Sequence, residues 1–302
     1  MDVALVGHMV VDTVVRSGEM RKSLGGTVVY GALAALKHNA RPLIISKIGE
    51  DFPDEYLLFL SNAGVNLSRV KVTRKPSTRF KLVYHNLDRT LYLLSRCEDI
   101  TAYDIRREDV ADKPVIVGAV IGEVSKDALE YISSRAALTA MDIQGYIRQA
   151  TEEKEVTLSP SPAIAEAISN TEIIHAELYE AKALWGIEDP LKAGEAFVKT
   201  GVAIALITVG EEGSYVVTKE RALKVPAARP SAVVDATGSG DVYMTVFTIE
   251  YHRTGDLALA AAMASAASSF LVEKKGVAGL RPRWVVKKRA EEVLNAIEEV
   301  KT

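Results

Sequence analysis

Cysteine, glutamine and asparagine are scarce in this 302-residue chain. The single cysteine, Cys97, excludes an internal disulfide and a thiolate zinc cage. Two glutamines, Gln144 and Gln149, and six asparagines stand beside abundant Lys and Glu. Low amide content of this kind is a hyperthermophile signal, so a thermophilic source is expected. A basic block is also missing: 37 Lys+Arg against 40 Asp+Glu leave a net charge of −3, which argues against nucleic acid as a main partner. No apolar run is long enough to cross a bilayer. The best, residues 257–272, has sixteen residues and three serines, whereas a span needs about 20. The opening Met1-Asp2-Val3-Ala4-Leu5-Val6-Gly7 lacks the basic flank and cleavable apolar core of a signal peptide, so a cytoplasmic protein without membrane partners is expected.

What is present is an alternation of buried strands and helices. Val3–Val6, Pro42–Ile48, Val115–Val117, Leu138–Asp142, Glu172–His175 and Ala203–Val209 read as strands too apolar for a half-exposed sheet. Thr27–His38, Asp54–Ala63, Lys126–Ser134, Ala163–Ser169 and Leu178–Thr200 have helical composition. This order predicts an α/β fold with a mostly parallel sheet covered on both faces. Residues 13–24 and 78–95 break the order as short amphipathic strands, the second a hairpin around Asn86-Leu87-Asp88-Arg89. They predict a small sheet over one edge of a cleft. The last third reads as three helices, Gly238–His252, Asp256–Glu273 and Arg283–Val300. No repeat or linker divides the chain. In open α/β sheets ligands bind beyond the carboxyl ends of the strands, so chemistry is sought in the loops there.

The most informative loop is Asp235-Ala236-Thr237-Gly238-Ser239-Gly240-Asp241, between an apolar run and a long helix. Amides of Gly238, Ser239 and Gly240 at a helix start, with the positive end of the dipole, suit a phosphate. Asp241 in the first turn is placed to take the proton of an attacking hydroxyl. A helix-start aspartate after a plain glycine turn explains the same spacing. Walker, first-strand dinucleotide, H-E-x-x-H and G-x-S-x-G patterns are absent, which leaves those enzyme classes unsupported.

This segment resembles the C-terminal signature of the ribokinase-like (PfkB) carbohydrate kinases, written D-T-x-G-A-G-D. Gly25-Gly26 before a helix, then Lys47-Ile48-Gly49-Glu50-Asp51, is similar to the N-terminal one. The resemblance spans the chain. It implies a three-layer α/β/α fold, one domain over 1–302, with a small β lid from about 13–24 and 78–95. It implies ATP and Mg2+ as cofactors, leaves a monovalent cation open, and makes a small sugar or polyol the partner. By resemblance Asp241 is the catalytic base, and Gly238, Ser239 and Gly240 are the anion hole. Thr208, Gly210 and Gly213 match the T-x-G-x-x-G nucleotide loop. Glu177-Leu178-Tyr179-Glu180 matches N-x-x-E: Glu180 keeps the glutamate tied to magnesium and phosphate, while Glu177 replaces the asparagine.

Asp12 falls at the family's substrate aspartate, and Gly25 and Gly26 at its hinge and substrate-approach glycines. Val10 and Tyr30 stand where ribokinases carry asparagines, which argues against ribose. Asp51 reads as the N-cap of the following helix. Asp142, Gln144 and Arg148, within Met141-Asp142-Ile143-Gln144-Gly145-Tyr146-Ile147-Arg148, resemble a segment of the archaeal and plant myo-inositol kinase branch, making myo-inositol the leading single acceptor. His8, His38, His85, His175 and His252 show no ligand spacing and read as packing or surface; Cys97 has no expected redox role. Tyr84 and Tyr92 in the lid are expected on substrate or on a partner subunit, since lid-to-lid homodimers occur in the family. The alternatives are a nucleoside kinase, a silent sugar-binding regulator on this fold and, most remote, an oxidoreductase.

Overall fold

The computed structural model describes residues 1–16, 18–85 and 88–301. Among the described residues ten strands form the main sheet. Their spatial order is Glu298–Val300, Ala222–Val225, Ser214–Val217, Ile204–Thr208, Ile173–Glu177, Leu138–Asp142, Pro114–Val117, Asp2–Val6, Arg41–Gly49 and Asn66–Thr73. The seven from Ile204–Thr208 to Asn66–Thr73 run parallel, and the three at the other end are antiparallel. Alternate side chains of one strand enter two cores, which is why these strands read as continuous apolar runs. Leu5, Ile116, Ala140, Ile173 and Leu206 pack under helices Thr27–Lys37, Ser239–Thr254, Leu257–Leu271 and Arg283–Leu294. Ala4, Val117, Met141, Ile174 and Ala205 pack under Lys126–Ser133, Ile164–Ser169 and Pro190–Lys199 on the opposite face. The architecture is three-layered, α/β/α.

A second sheet orders Glu19–Gly25, Val10–Arg16, Arg79–His85 and Asp88–Ser95. It leaves the main sheet where Asp2–Val6 ends and returns into helix Thr27–Lys37. Phe80 and Leu82 pack with Val10, Val120 and Ile121 in a small separate core. Of the expected hairpin turn, Asn86 and Leu87 lie outside the described residues.

Several local expectations are corrected. Leu178–Thr200 is two helices, Leu178–Trp185 and Pro190–Lys199. Gly186 ends the first in the left-handed region at φ 69°, and Asp189 caps the second by accepting from the Lys192 amide at 3.0 Å. Arg283–Val300 is a helix only to Leu294; Glu298–Val300 adds an edge strand to Ala222–Val225. Asp51 is not a helix cap, because the helix opens at Asp54 with Pro53 as its cap. Its carboxylate accepts from the Ser77 amide at 2.8 Å and from Arg79 Nε at 2.9 Å, tying the second sheet to the end of Arg41–Gly49. The Ala-rich run forms helix Leu257–Leu271, packed between its two neighbours. Among the described residues no helix is long and apolar enough to cross a membrane.

Candidate active site

Strands Leu138–Asp142, Ile173–Glu177 and Ile204–Thr208 all end at one edge of the sheet, and helices Thr27–Lys37 and Ser239–Thr254 begin there. Two cavities meet at that edge. One, of about 140 Å³, lies under the second sheet and is lined by Asp12, Gly26, Thr27, Tyr30, Asp142, Gln144, Arg148 and His175, with Phe80, Leu82 and Leu91 opposite. The other, of about 540 Å³, is lined by Thr208, Gly210, Gly213, Ala228, Val233 and Val272. Glu177, Ala236, Ser239 and Gly240 line both. The start of helix Ser239–Thr254 therefore stands between two ligand spaces.

That start is built by Gly238, the N-cap, at φ 81°. A Cβ there would come within 2.3 Å of the Tyr30 ring, so both its conformation and its neighbour demand glycine. Asp235 braces the loop by accepting from the Thr237 amide at 3.1 Å and the Gly276 amide at 3.2 Å. The expectation of three open amides is corrected at Ser239, whose N–H donates to Ala236 O at 3.1 Å in the turn. Among the described residues the amides of Gly238, Gly240 and Asp241 have no protein acceptor. Those are the groups an anion would meet at a helix N-terminus.

Asp241 lines the smaller cavity together with Thr27. Burial and the nearby Asp142 carboxylate push its carboxyl up to about 6, while the Thr27 hydroxyl, Arg148 and His175 restrain the rise. Glu180 is pushed up to about 8, first by burial and then by Asp142, with Arg148 again opposing. Its carboxylate accepts from the Glu177 amide at 2.9 Å, closing the first turn of Leu178–Trp185.

His175, read from the sequence as packing or surface, is buried and lines the smaller cavity. Its Nδ1 lies 2.8 Å from Asp142 Oδ2 and its Nε2 3.2 Å from Thr208 Oγ1, so it joins the ends of three neighbouring strands. Burial opposes its charge, but Asp142 wins and lifts the imidazole to about 9. Nothing in the spacing of the histidines signals this; only the parallel register of Ile173–Glu177 beside Leu138–Asp142 brings the pair together. Thr27, at the start of helix Thr27–Lys37, was missed because its partner Gln144 lies 117 positions away.

Other expected residues are placed as follows. Asp142 lines the smaller cavity with both oxygens engaged, Oδ2 by His175 and Oδ1 by the Gln144 amide at 2.8 Å. Gln144 donates its side-chain amide to Thr27 Oγ1 at 2.9 Å. Asp12 lines the cavity, and a Cβ on Gly25 would fall 2.1 Å from its Oδ2, so Gly25 makes room for that carboxylate. Gly26, not Gly25, lines the cavity. Tyr84 and Tyr92 do not line it; the apolar Phe80, Leu82 and Leu91 do. Tyr84 instead lies 4.6 Å beneath the Arg16 guanidinium.

Four carboxylates, Asp142, Glu177, Glu180 and Asp241, face two cationic groups, Arg148 and His175. Among the described residues no three His, Cys, Asp or Glu side chains converge as direct metal ligands. This surplus of negative charge beside an anion site suits a divalent ion held largely by water and phosphate oxygens, with Glu177 and Glu180 at its flank.

Residues 2–283 match the family model described as pfkB family carbohydrate kinase. A cytidine kinase of Thermococcus kodakarensis is 24% identical over 271 residues, covering 84% of this chain and 89% of that protein. A deoxyribokinase of Salmonella typhi is 25% identical over 311 residues, covering 93% and 96%. Among solved structures, a sulfate complex of a pyrophosphate-dependent kinase in the ribokinase family superposes with a TM-score of 0.81 at 20% identity, covering 96% of this chain and 99% of that one. A pyrophosphate-dependent kinase of that family complexed with a pyrophosphate analog and myo-inositol gives 0.79 at 20% identity, covering 96% and 100%.

Proposed function

The chain belongs to the pfkB family of carbohydrate kinases, and from that premise we propose that it transfers the γ-phosphoryl of ATP to a hydroxyl of a small polyol, with myo-inositol the first candidate. At the coarser level it is a sugar or nucleoside kinase with the ribokinase-like fold, a phosphotransferase with an alcohol acceptor. The observation that carries the finer reading is the meeting of two cavities at one helix start, with a carboxylate on the acceptor side.

In this reading the acceptor lies between the polar wall of Asp12, Gln144 and Arg148 and the apolar wall of Phe80, Leu82 and Leu91. That pairing suits a ring with hydroxyls at its rim and C–H groups on its face. The four-stranded sheet of Glu19–Gly25, Val10–Arg16, Arg79–His85 and Asp88–Ser95 acts as a lid that excludes water. Asp241 takes the proton of the hydroxyl as its oxygen attacks the γ-phosphorus and the bond to the β-phosphate oxygen breaks. Charge that develops on the transferring group falls on the amides of Gly238, Gly240 and Asp241, and Arg148 lies within reach of the new phosphate. Thr208, Gly210 and Gly213 border the donor space. Glu177 and Glu180 are the residues that would hold magnesium, which when bound neutralises and orients the donor phosphates.

The donor is read as ATP because the larger cavity has apolar walls at Ala228, Val233 and Val272, which a pyrophosphate alone would leave empty. The acceptor is read as a polyol over a nucleoside because its cavity is only about 140 Å³, below the several hundred Å³ of a typical small-molecule pocket. The named likeness to a cytidine kinase keeps nucleosides in the test. The test is ADP release with Mg2+ and ATP against myo-inositol, ribose, fructose, 2-keto-3-deoxygluconate, adenosine and cytidine, with a parallel series in which pyrophosphate replaces ATP. Preferred turnover of myo-inositol with ATP is expected. A nucleoside as the strong responder, or activity with pyrophosphate alone, overturns the corresponding half of the reading.

A further inference from the structure

Strands Leu138–Asp142, Ile173–Glu177 and Ile204–Thr208 lie side by side in parallel, and His175 is on the middle one. Its register partner on one side is Asp142, and on the other Leu206, two positions before Thr208. Residues two apart on a strand share a face, so Thr208 turns to the side of the sheet that carries His175. The imidazole spans both gaps: Nδ1 lies 2.8 Å from Asp142 Oδ2 and Nε2 3.2 Å from Thr208 Oγ1. A carboxylate accepts, so Nδ1–H donates to Asp142. At the other end a charged ring donates Nε2–H to the Thr208 oxygen, and a neutral ring accepts the Thr208 hydroxyl hydrogen; the bridge is closed in both forms. Asp142 lines the smaller cavity and Thr208 the larger. We propose that His175 is a positioning residue that sets two walls at once: through Nδ1 it fixes Asp142 for the acceptor, and through Nε2 it fixes Thr208 for the donor.

The inference rests on the reading of the two cavities as acceptor and donor spaces, and adds what holds their walls in register. On the acceptor side, Asp142 Oδ1 accepts from the Gln144 amide at 2.8 Å, and the Gln144 side chain donates to Thr27 Oγ1 at 2.9 Å. His175 anchors the other carboxylate oxygen, so the plane of Asp142 is held from two sides. On the donor side, Thr208 is the last residue of its strand and opens onto the turn of Gly210 and Gly213. A side chain at a strand end needs a partner to fix its rotamer, and a misplaced contact to a reacting group loses rate steeply. The ring lies against the anion loop: a Cβ on Gly240 would come within 2.9 Å of its Cε1. It also stacks on Tyr243 with centroids 6.3 Å apart. Packing is therefore the rival role for this histidine, and its two nitrogens separate the two.

His175→Asn places an amide where Nδ1 was and reaches no further; His175→Gln reaches the Nε2 position and leaves Nδ1 unreplaced. His175→Asn is expected to raise the Kd for ATP, measured by calorimetry with Mg2+ and no acceptor, about 3- to 10-fold, with the acceptor KM near wild type. His175→Gln is expected to do the reverse: the acceptor KM rises about 10- to 100-fold, because a carboxylate loses its donor, and the Kd for ATP stays near wild type. Equal losses in both variants, or unfolding of both, are what a packing role gives and overturn the proposal. Thr208→Val closes a cycle: added to it, His175→Asn is expected to leave the Kd for ATP where Thr208→Val alone puts it. Additive losses overturn the donor half. If the wild-type chain binds ATP but phosphorylates none of the acceptors, the kinase assignment fails while the Kd comparison still decides whether His175 acts through Thr208. If it binds pyrophosphate in place of ATP, the same comparison with pyrophosphate decides it.

Discussion

Asp241 sits at the first turn of a helix, where the dipole favours a negative charge, and yet its carboxyl is pushed up to about 6. Burial beside Asp142 outweighs the dipole, and the result is a base half-protonated near the foot of the physiological range. If Asp241 must be ionised to accept a proton, kcat/KM should climb as pH rises through about 6 and level off above. The same shift has a stability consequence of opposite sense. Between the ordinary value of 3.8 and about 6 the folded state holds a proton that the unfolded state has released, so stability falls as pH rises through that window. Asp241→Asn should therefore lower turnover by about 10²- to 10⁴-fold while leaving the melting temperature at pH 7–8 equal to or above wild type. A variant that loses both turnover and stability would contradict the base assignment. The base, the glycines and the polar segment from Asp142 to Arg148 were legible in the sequence as candidates. Their partners were not: Thr27 and Gln144 are 117 positions apart, and His175 and Asp142 are 33 apart. No local period encodes such pairs.

Strands buried on both faces were readable almost to the residue, because burial demands an unbroken apolar run; Leu138–Asp142 coincides with its reading. Strands at the margins were not. Asn66–Thr73 alternates between exposed and half-buried positions without a closed apolar face, and Glu298–Val300 is three residues of which two are charged and exposed. Such segments become strands only because a neighbour offers hydrogen-bonding edges. A separate device locks the helices behind the active edge. Glu250, in the long helix from Ser239, is fully buried. It accepts from His38 Nδ1 at 3.0 Å, from Arg253 Nη1 at 2.8 Å, and from Arg283 through Nε and Nη2, both at 2.8 Å. Burial opposes its charge, but His38 and the two arginines outweigh it and bring the carboxyl down to about 2. Its stabilising effect is fully present above its ordinary value of 4.5 and is lost as pH falls from there toward about 2. Glu250→Gln leaves cationic partners without their counter-charge, and it should destabilise the fold by about 3 kcal/mol at neutral pH. Chemical denaturation across pH should show the gap between variant and wild type closing as the solution is acidified. A constant gap would mean that packing, not charge, is what the glutamate supplies.

At the scale of the whole molecule, composition carries one expectation of its own. Scarce amides with abundant Lys and Glu predict a melting temperature above the mesophile range of about 45–65 °C, measurable by calorimetry; a transition near 50 °C contradicts it. The sequence alone determined the α/β architecture, the second small sheet and membership of the kinase family, because each rests on short-range information: runs of apolar residues, glycines at a helix start, and two signatures at the right ends of the chain. Only the tertiary structure decided that Ser239 spends its amide inside the turn, that Asp51 ties two sheets together instead of capping a helix, and that His175 and Thr27 line the smaller cavity through bonds to Asp142 and Gln144. The physical reason is common to all four. A hydrogen bond is settled by distances of about 3 Å, and a folded sheet sets those distances between residues that the chain keeps far apart.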